Sequence, residues 1–230
     1  MNKNILLIGG SHGIGNAIVN ELKDTNTIYV ASRSNENLDH TNVHHIPFDA
    51  ETQSLDLSLL PESLDGFVFC PGSINLRPFK MLSEDAFEKD LHYNFLNMVK
   101  VLKAIIGKMG TNSSIVLFST VAVGTGMPFH TSVAAAKGAI EGFAKSLAAE
   151  YAPKIRVNVV APSLVDTPLA DRLLNNDKKK EKMNERHPLK RFGQPEDIGA
   201  IASFLLTDKA SWITGQIFGV DGGISSLNLS

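Results

Sequence analysis

An apolar run that stops abruptly at glycines constrains this chain more than any other feature. Residues 5–8 lead straight into Gly9-Gly10-Ser11-His12-Gly13-Ile14-Gly15, and residues 15–23 then follow at helical period. A buried strand, a tight turn and a helix in that order make a specific device. Glycines accept positive φ and let the backbone approach a pyrophosphate, and the helix N-terminus offers free N–H donors and a partial positive charge. A tight glycine turn without a ligand is the competing reading. The turn segment Gly9, Ser11, His12, Gly13, Ile14 and Gly15 is therefore a candidate dinucleotide-binding element.

The rest of the chain repeats the alternation. Strands are expected at residues 5–8, 27–31, 43–48, 66–70, 114–119, 156–160 and 216–220, and helices at 15–23, 84–108, 133–151 and 195–206. The strand runs are apolar almost throughout, as strands covered on both faces must be. The order implies an α/β fold, a doubly wound parallel sheet of Rossmann type with about seven strands and helices on both faces. No linker-like stretch interrupts residues 1–230, so one dinucleotide-binding domain is expected. The charge run at 177–182 reads as a solvated helix face. Because it follows a strand end, the segment from about 164 to 190 is also a possible flap over a substrate pocket.

Composition excludes some classes. A net charge of −2 and a pI near 6.4 argue against binding nucleic acid through phosphate neutralisation. No apolar run approaches the roughly 18–20 residues of a membrane span. The single cysteine, Cys70, suits a reducing compartment, so a cytoplasmic protein is expected.

Cofactor choice is read at the end of the second strand. An acid there would bind a ribose 2′-hydroxyl and repel a 2′-phosphate. This chain has Ser32 in that place and Arg33 next to it, a planar cationic fork suited to phosphate. NADP(H) is therefore favoured over NAD(H), with a solvent-facing surface arginine as the competing reading of Arg33.

These residues resemble the short-chain dehydrogenase/reductase family along essentially the whole chain. The turn Gly9-x3-Gly13-Ile14-Gly15, the pair Arg156-Val157-Asn158 and Ala161-Pro162, and the ending Pro188-Leu189 through Gly215 to Asp221-Gly222-Gly223 carry the likeness. The resemblance implies further site residues. Asp49 would contact the adenine, and Gly72 keeps one glycine of the loop after the fourth strand. Pro162, Val165 and Thr167 would border the nicotinamide. It also implies Asn94 on the central helix, Thr120 at the serine position and Lys137 as catalytic groups, and association as a homotetramer or homodimer.

Several positions depart from the family pattern. Ile8 stands where the family usually has threonine, Phe69-Cys70-Pro71-Gly72 replaces its Asn-Asn-Ala-Gly, and Pro162-Ser163 replaces its Pro-Gly. The largest departure is Val133, four residues before Lys137, where the family carries its active-site tyrosine. Valine has no proton to give. His130, seven residues before Lys137, is then either a substitute proton donor or a half-exposed loop histidine. Thr131 and Ser132 are expected as N-caps of the following helix. Tyr93 and Cys70 are expected to pack, with a place in the pocket as the alternative. Lys137 would hold the nicotinamide ribose with or without a tyrosine.

Three functions follow. The first is an NADP(H)-dependent oxidoreductase acting on a small or medium carbonyl, hydroxyl or enone-like substrate through a non-standard proton donor. The second is a cofactor-binding protein without efficient catalysis, a sensor or regulatory partner. The third is an assembly protein. No metal site is expected.

Overall fold

The computed structural model describes residues 2–228. Seven strands form one parallel sheet: β1 (Asn4–Ile8), β2 (Thr27–Ser32), β3 (Val43–Pro47), β4 (Leu64–Phe69), β5 (Met109–Phe118), β6 (Ile155–Pro162) and β7 (Ile217–Val220). Their spatial order is β3-β2-β1-β4-β5-β6-β7. The helices are α1 (Gly13–Leu22), α2 (Glu84–Leu91), α3 (Asn97–Ile105), α4 (Thr131–Tyr151), α5 (Asp171–Leu174), α6 (Asp177–Arg186) and α7 (Pro195–Leu206). This is the doubly wound Rossmann-type arrangement that the alternating pattern predicts.

Strand periodicity builds two cores. Leu6, Ile8, Phe67, Phe69, Ile115, Leu117, Val157 and Val159 face one side and meet Met98, Val101, Leu102 and Ile105 of α3 with Ile140, Ala144 and Ala148 of α4. The intervening residues Ile5, Leu7, Val68, Val116, Phe118 and Val160 face the other side, against Ile18, Val19 and Leu22 of α1 and Ile198, Ala202, Leu205 and Leu206 of α7. Neighbouring residues on a strand point to opposite faces, so a strand covered twice must be apolar throughout. Truncating one such side chain, Leu7→Ala for example, removes about 2–5 kcal/mol.

The expected continuous helix at 84–108 is interrupted. A π-helical turn, His92–Leu96, separates α2 from α3, and a 3-10 turn, Ile106–Lys108, ends the run. The inserted turn widens the ladder where Tyr93 and Asn94 sit. β5 begins five residues earlier than expected, at Met109, and a register shift between Leu64 and Gly66 takes up the extra length. The crossover from β3 to β4 holds only a 3-10 turn, Leu57–Leu59, so this return across the sheet is made without an α-helix. α7 starts as its sequence foretells, with Pro195 in the first turn and a reciprocal capping box between Gln194 and Asp197. Among the described residues no helix is long and apolar enough to cross a membrane.

Strand order reverses between β1 and β4. In such sheets the crevice beyond the carboxyl ends of the strands at that point is where ligands bind.

Candidate functional site

A groove of about 440 Å³ opens at that reversal. Its floor is the glycine turn between β1 and α1. Gly13 holds φ +54, and a Cβ at Gly15 would lie 2.0 Å from the Gly9 carbonyl oxygen, so neither position accepts a side chain without moving the turn. The start of α1 is open: no side chain caps it, and its first turn carries no acid. Its N–H groups and dipole are thus left for an external anion. That free helix end, over a floor without side chains, fits a pyrophosphate.

Ser11, His12 and Ile14 line the groove with the glycines, as do Ser32, Arg33, Asp49, Gly72 and Thr167. Their side chains are not equally available. The Ser32 hydroxyl donates to the Ser34 carbonyl at 2.7 Å, and one Asp49 carboxylate oxygen accepts from the Glu51 N–H at 3.0 Å. Arg33 is exposed, and among the described residues no carboxylate pairs with it. The His12 ring lies between Ser11 Oγ at 3.1 Å and Glu36 Oε2 at 2.9 Å. Glu36, which sequence reading passed over, therefore brings an acid to the same end of the groove as Arg33. Tyr93 and Asn97 also line this groove.

A second cavity of about 260 Å³ continues from the first. Ile14, Cys70, Gly72, Thr167 and Leu169 belong to both. Thr120, His130, Val133, Lys137, Pro162 and Val165, drawn from three separate stretches of chain, meet on its wall. Lys137 is the charged group at the junction. It is buried, its Nζ donates to the Phe118 carbonyl at 3.1 Å, and a Cβ at Gly72 would come within 3.4 Å of that nitrogen. Desolvation pulls Lys137 down from its ordinary 10.5 to about 8, and it pushes the nearby Cys70 thiol up to about 12. Cys70 is thus an inert thiol at neutral pH, while Lys137 sits close to the point of losing its proton.

The other predicted groups are placed as follows. Thr120 Oγ1 accepts from the Ala122 N–H at 3.3 Å, which leaves its own proton free to donate. Its neighbour Ser119 turns away and donates to Glu141 at 2.6 Å. His130 occupies the N-cap position of α4, with Nδ1 2.7 Å from the Pro128 carbonyl. A carbonyl only accepts, so Nδ1 carries the hydrogen. Val133 is buried on the cavity wall.

Three sequence expectations are corrected. Asn94 does not reach the wall of either cavity; it is fully buried behind Gly72. Its Nδ2 donates at 2.8 Å to both the Asp90 carbonyl and Ser73 Oγ, and its Oδ1 accepts from the Ser73 N–H at 3.0 Å. Thr131 and Ser132 are not N-caps, because α4 already begins at Thr131. Ser132 instead donates to Asp90 Oδ2 at 2.5 Å, and Ser73 donates to Oδ1 at 2.9 Å. Tyr93 lies on the groove and not in the second cavity. The buried carboxylate of Asp90 ties the loop after β4 to the start of α4. Its signal in the sequence was its position one helical turn before Asn94.

α6 is an exposed polar helix capped by Asn176, as the charge run predicts, yet Met183 and Arg186 reach the cavity wall. Beside them Ser163 Oγ stands 2.9 Å from Nε2 of the buried His187. His187 was not singled out in the sequence. Among the described residues no cluster of His, Cys, Asp or Glu could hold a metal ion.

Comparison with known proteins agrees in kind. The family model described as enoyl-(acyl carrier protein) reductase matches residues 9–225. Dehydrogenase/reductase SDR family member 4 of Sus scrofa is 31% identical over 246 residues, covering 98% of this chain and 88% of that protein. The 3-oxoacyl-[acyl-carrier-protein] reductase FabG of Thermotoga maritima is 36% identical over 146 residues, 62% of this chain, so the match spans only 58% of that reductase's length. The crystal structure of a short chain dehydrogenase family protein from Francisella tularensis subsp. tularensis SCHU S4 superposes with a TM-score of 0.90 at 27% identity, covering 99% of this chain and 100% of that one.

Proposed function

The chain belongs to the short-chain dehydrogenase/reductase family, and on that premise we propose that it is an NADP(H)-dependent oxidoreductase acting on a small or medium, largely apolar carbonyl, hydroxyl or enone-like substrate, with a proton donor other than a phenol. One observation carries the proposal: the pyrophosphate-type groove runs without a break into an apolar-walled cavity, and a buried lysine stands at the junction.

The bound nicotinamide supplies a hydride equivalent to substrate carbon, and the chain's own residues supply the rest. The open N-terminus of α1 holds the pyrophosphate, and Asp49 borders the adenine. Arg33, with the imidazole of His12 beside it, faces a 2′-phosphate; Ser32, occupied by the Ser34 carbonyl, adds only shape. Lys137 donates to ribose hydroxyls once it leaves the Phe118 carbonyl. Pro162, Val165 and Thr167 bound the nicotinamide side, and Thr120 donates to a carbonyl oxygen. Asn94 acts through the loop at Gly72 and not by contact. The segment at 164–190 serves as a flap, because α6 lies over the cavity and turns Met183, its one apolar residue, onto the wall. The net charge of −2 supports a small-molecule substrate over nucleic acid. We read the working form as a single-domain protein in the cytoplasm, assembled as a homotetramer or homodimer.

Fluorescence titration with NADPH and NADH tests the cofactor claim. NADPH is expected to bind at least about tenfold more tightly, and equal or reversed affinities overturn the preference. Cofactor consumption over a panel of ketones, conjugated enones and acyl thioesters tests the reaction class. A conjugated C=C fits best, since the enolate left after reduction takes its proton at carbon from a weak donor or water. Val133 supports a second reading, a cofactor-binding protein without efficient catalysis, because a buried valine on the cavity wall supplies no proton. Tight NADPH binding with no consumption across the panel selects that reading.

A further inference from the structure

The Ser163–His187 pair gives the cavity a route for protons that needs no tyrosine. His187 is 3% exposed, its Nδ1 lies 2.7 Å from the Met183 carbonyl and its Nε2 lies 2.9 Å from Ser163 Oγ. A carbonyl cannot donate, so Nδ1 carries the hydrogen and the neutral ring presents Nε2 as acceptor to the serine hydroxyl. A base held by a third group and aimed at a hydroxyl is the arrangement that moves protons in many unrelated enzymes. Both partners are fixed from elsewhere: the Ser163 N–H donates to the Val220 carbonyl at 3.3 Å, and the His187 N–H to the Asn184 carbonyl at 3.2 Å. Gly222 packs on the imidazole, where a Cβ would stand 3.6 Å from Cβ and Cδ2 of His187.

Ser163 also stands between two spaces. It lines the substrate cavity on one side, and on the other, together with His187, a rear cavity of about 120 Å³. A space of that size admits water where polar groups hold it, and Ser163, His187, Arg191, Asp197 and Asp221 stand on its walls.

We propose that Ser163 is a catalytic residue of the substrate cavity and that His187 supplies and withdraws its proton. This deepens the oxidoreductase reading above and rests on it. In the direction of reduction, the substrate carbon gains hydrogen and two electrons from a reduced nicotinamide dinucleotide, which is thereby oxidised. The Ser163 O–H bond breaks as its proton passes to the substrate oxygen, and Oγ takes the Nε2 proton of the His187 imidazolium. Water in the rear cavity then re-protonates Nε2. In the direction of oxidation the same atoms run in reverse, starting from a neutral ring whose bare Nε2 accepts the serine proton. The charged groups that face this pair are Lys137 and Arg186 from the substrate cavity, and Asp221 with the paired Arg191 and Asp197 from the rear.

The test uses the full chain, with Ser163→Ala, Ser163→Thr and His187→Gln. Ring 15N NMR of the unliganded protein is expected to show His187 with hydrogen on Nδ1 and a bare Nε2, whose signal moves in Ser163→Ala. With NADPH and the best member of the ketone and enone panel, Ser163→Ala and His187→Gln are expected to lose on the order of 100-fold in kcat. KM and NADPH affinity should stay within about threefold, and Ser163→Thr, which restores the hydroxyl, should recover most of the loss. Wild-type reduction should fall toward high pH, and the limb that belongs to the relay should vanish in His187→Gln. Should His187→Gln not fold, Ser163→Ala and the NMR assignment decide alone. A neutral ring with hydrogen on Nε2 and a bare Nδ1 overturns the relay, and so does Ser163→Ala turning over as fast as wild type. A wild-type protein that binds NADPH but consumes it with no panel member overturns the oxidoreductase reading itself, and the relay with it.

Discussion

The groove proposed for the dinucleotide and the cavity proposed for substrate meet at Gly72, beside Lys137, yet they are built from different material. The groove is made largely of backbone: a helix N-terminus without a side-chain cap, a turn whose glycines admit no side chain, and the ends of four adjacent strands. The cavity is made of side chains delivered by the loops after β4, β5 and β6 and by α4 and α6. A backbone site follows from the fold and tolerates change only in its ornaments. A side-chain site inherits a position from the fold and takes its chemistry from whichever residues arrive. The family likeness therefore speaks strongly for the groove and weakly for the reaction, which is why Val133 and Ser163 can depart from pattern while the glycine turn is kept.

The sharpest way to break that contrast is a single methyl group in the groove. Gly15→Ala places a carbon 2.0 Å from the Gly9 carbonyl, and only movement of the turn relieves it. The expected result is a loss of NADPH affinity of at least about 100-fold and a stability loss of about 2–4 kcal/mol, read by titration and by chemical denaturation. Near-normal binding would show that the backbone is more pliable than the comparison assumes.

Next in size is Lys137→Met, which tests the junction. With its pKa held at about 8 by desolvation, the native lysine gives up its proton more easily than in the unfolded chain. Between that value and the ordinary 10.5 the unfolded state binds more protons, so stability rises with pH across this window. Below pH 8 the buried ammonium costs about 3 kcal/mol. Lys137→Met is therefore expected to be more stable than wild type at pH 7, by about 1–3 kcal/mol after the lost hydrogen bond is counted, with no rise above pH 8. Cofactor consumption should fall on the order of 100-fold. Denaturation from pH 6 to 10 checks the first point and steady-state kinetics the second. A variant both less stable and fully active would make the lysine a mere structural strut.

Asp90→Asn probes the support behind the cavity. The carboxylate accepts from Ser73 and Ser132, and an amide keeps one acceptor but turns a donor toward the other hydroxyl. A loss of about 1–3 kcal/mol is expected, with a smaller effect on cofactor affinity, since this network reaches the groove only through the loop at Gly72. Thermal unfolding and NADPH titration on one sample separate the two effects.

This contrast also explains what could be read in advance. The strand positions, the reversal point and the glycine turn were legible because periodicity and local steric need write them into consecutive residues, as Leu6 and Leu7 on opposite faces show. Asn94 was misplaced because its helical position is local information, whereas its partner Ser73 lies 21 residues away on the loop after β4. The π-turn at His92–Leu96 left no mark that periodicity detects. The Ser163–His187 pair was invisible for the same reason: 24 residues separate the partners, and the departure at Ser163 carries no sign of its distant partner. Sequence patterns report what a residue needs from its neighbours on the chain, and a side-chain site depends on neighbours in space.

The smallest expected effect lies inside the groove and sharpens the comparison most finely. Arg33 is exposed at the mouth, free of any paired carboxylate among the described residues, while the acid nearby, Glu36, is engaged by His12 at 2.9 Å. If backbone holds the dinucleotide and side chains only select its form, removing Arg33 should spare NADH and weaken NADPH alone. A charge-assisted contact to phosphate contributes about 1.5–3 kcal/mol when well formed and less when solvent screens it, so Arg33→Ala should cost NADPH about tenfold in affinity. The loss should shrink as salt rises, because an exposed cation acts largely through a screened field. Glu36→Gln should act in the opposite direction, since it removes the carboxylate at hydrogen-bond distance from His12 and with it the repulsion of a 2′-phosphate. Titrations of both variants with NADPH and NADH at low and high salt decide the matter. Equal losses for the two cofactors would mean that Arg33 helps to hold the common part of the dinucleotide, and the division between a backbone that binds and side chains that choose would fail within the groove itself.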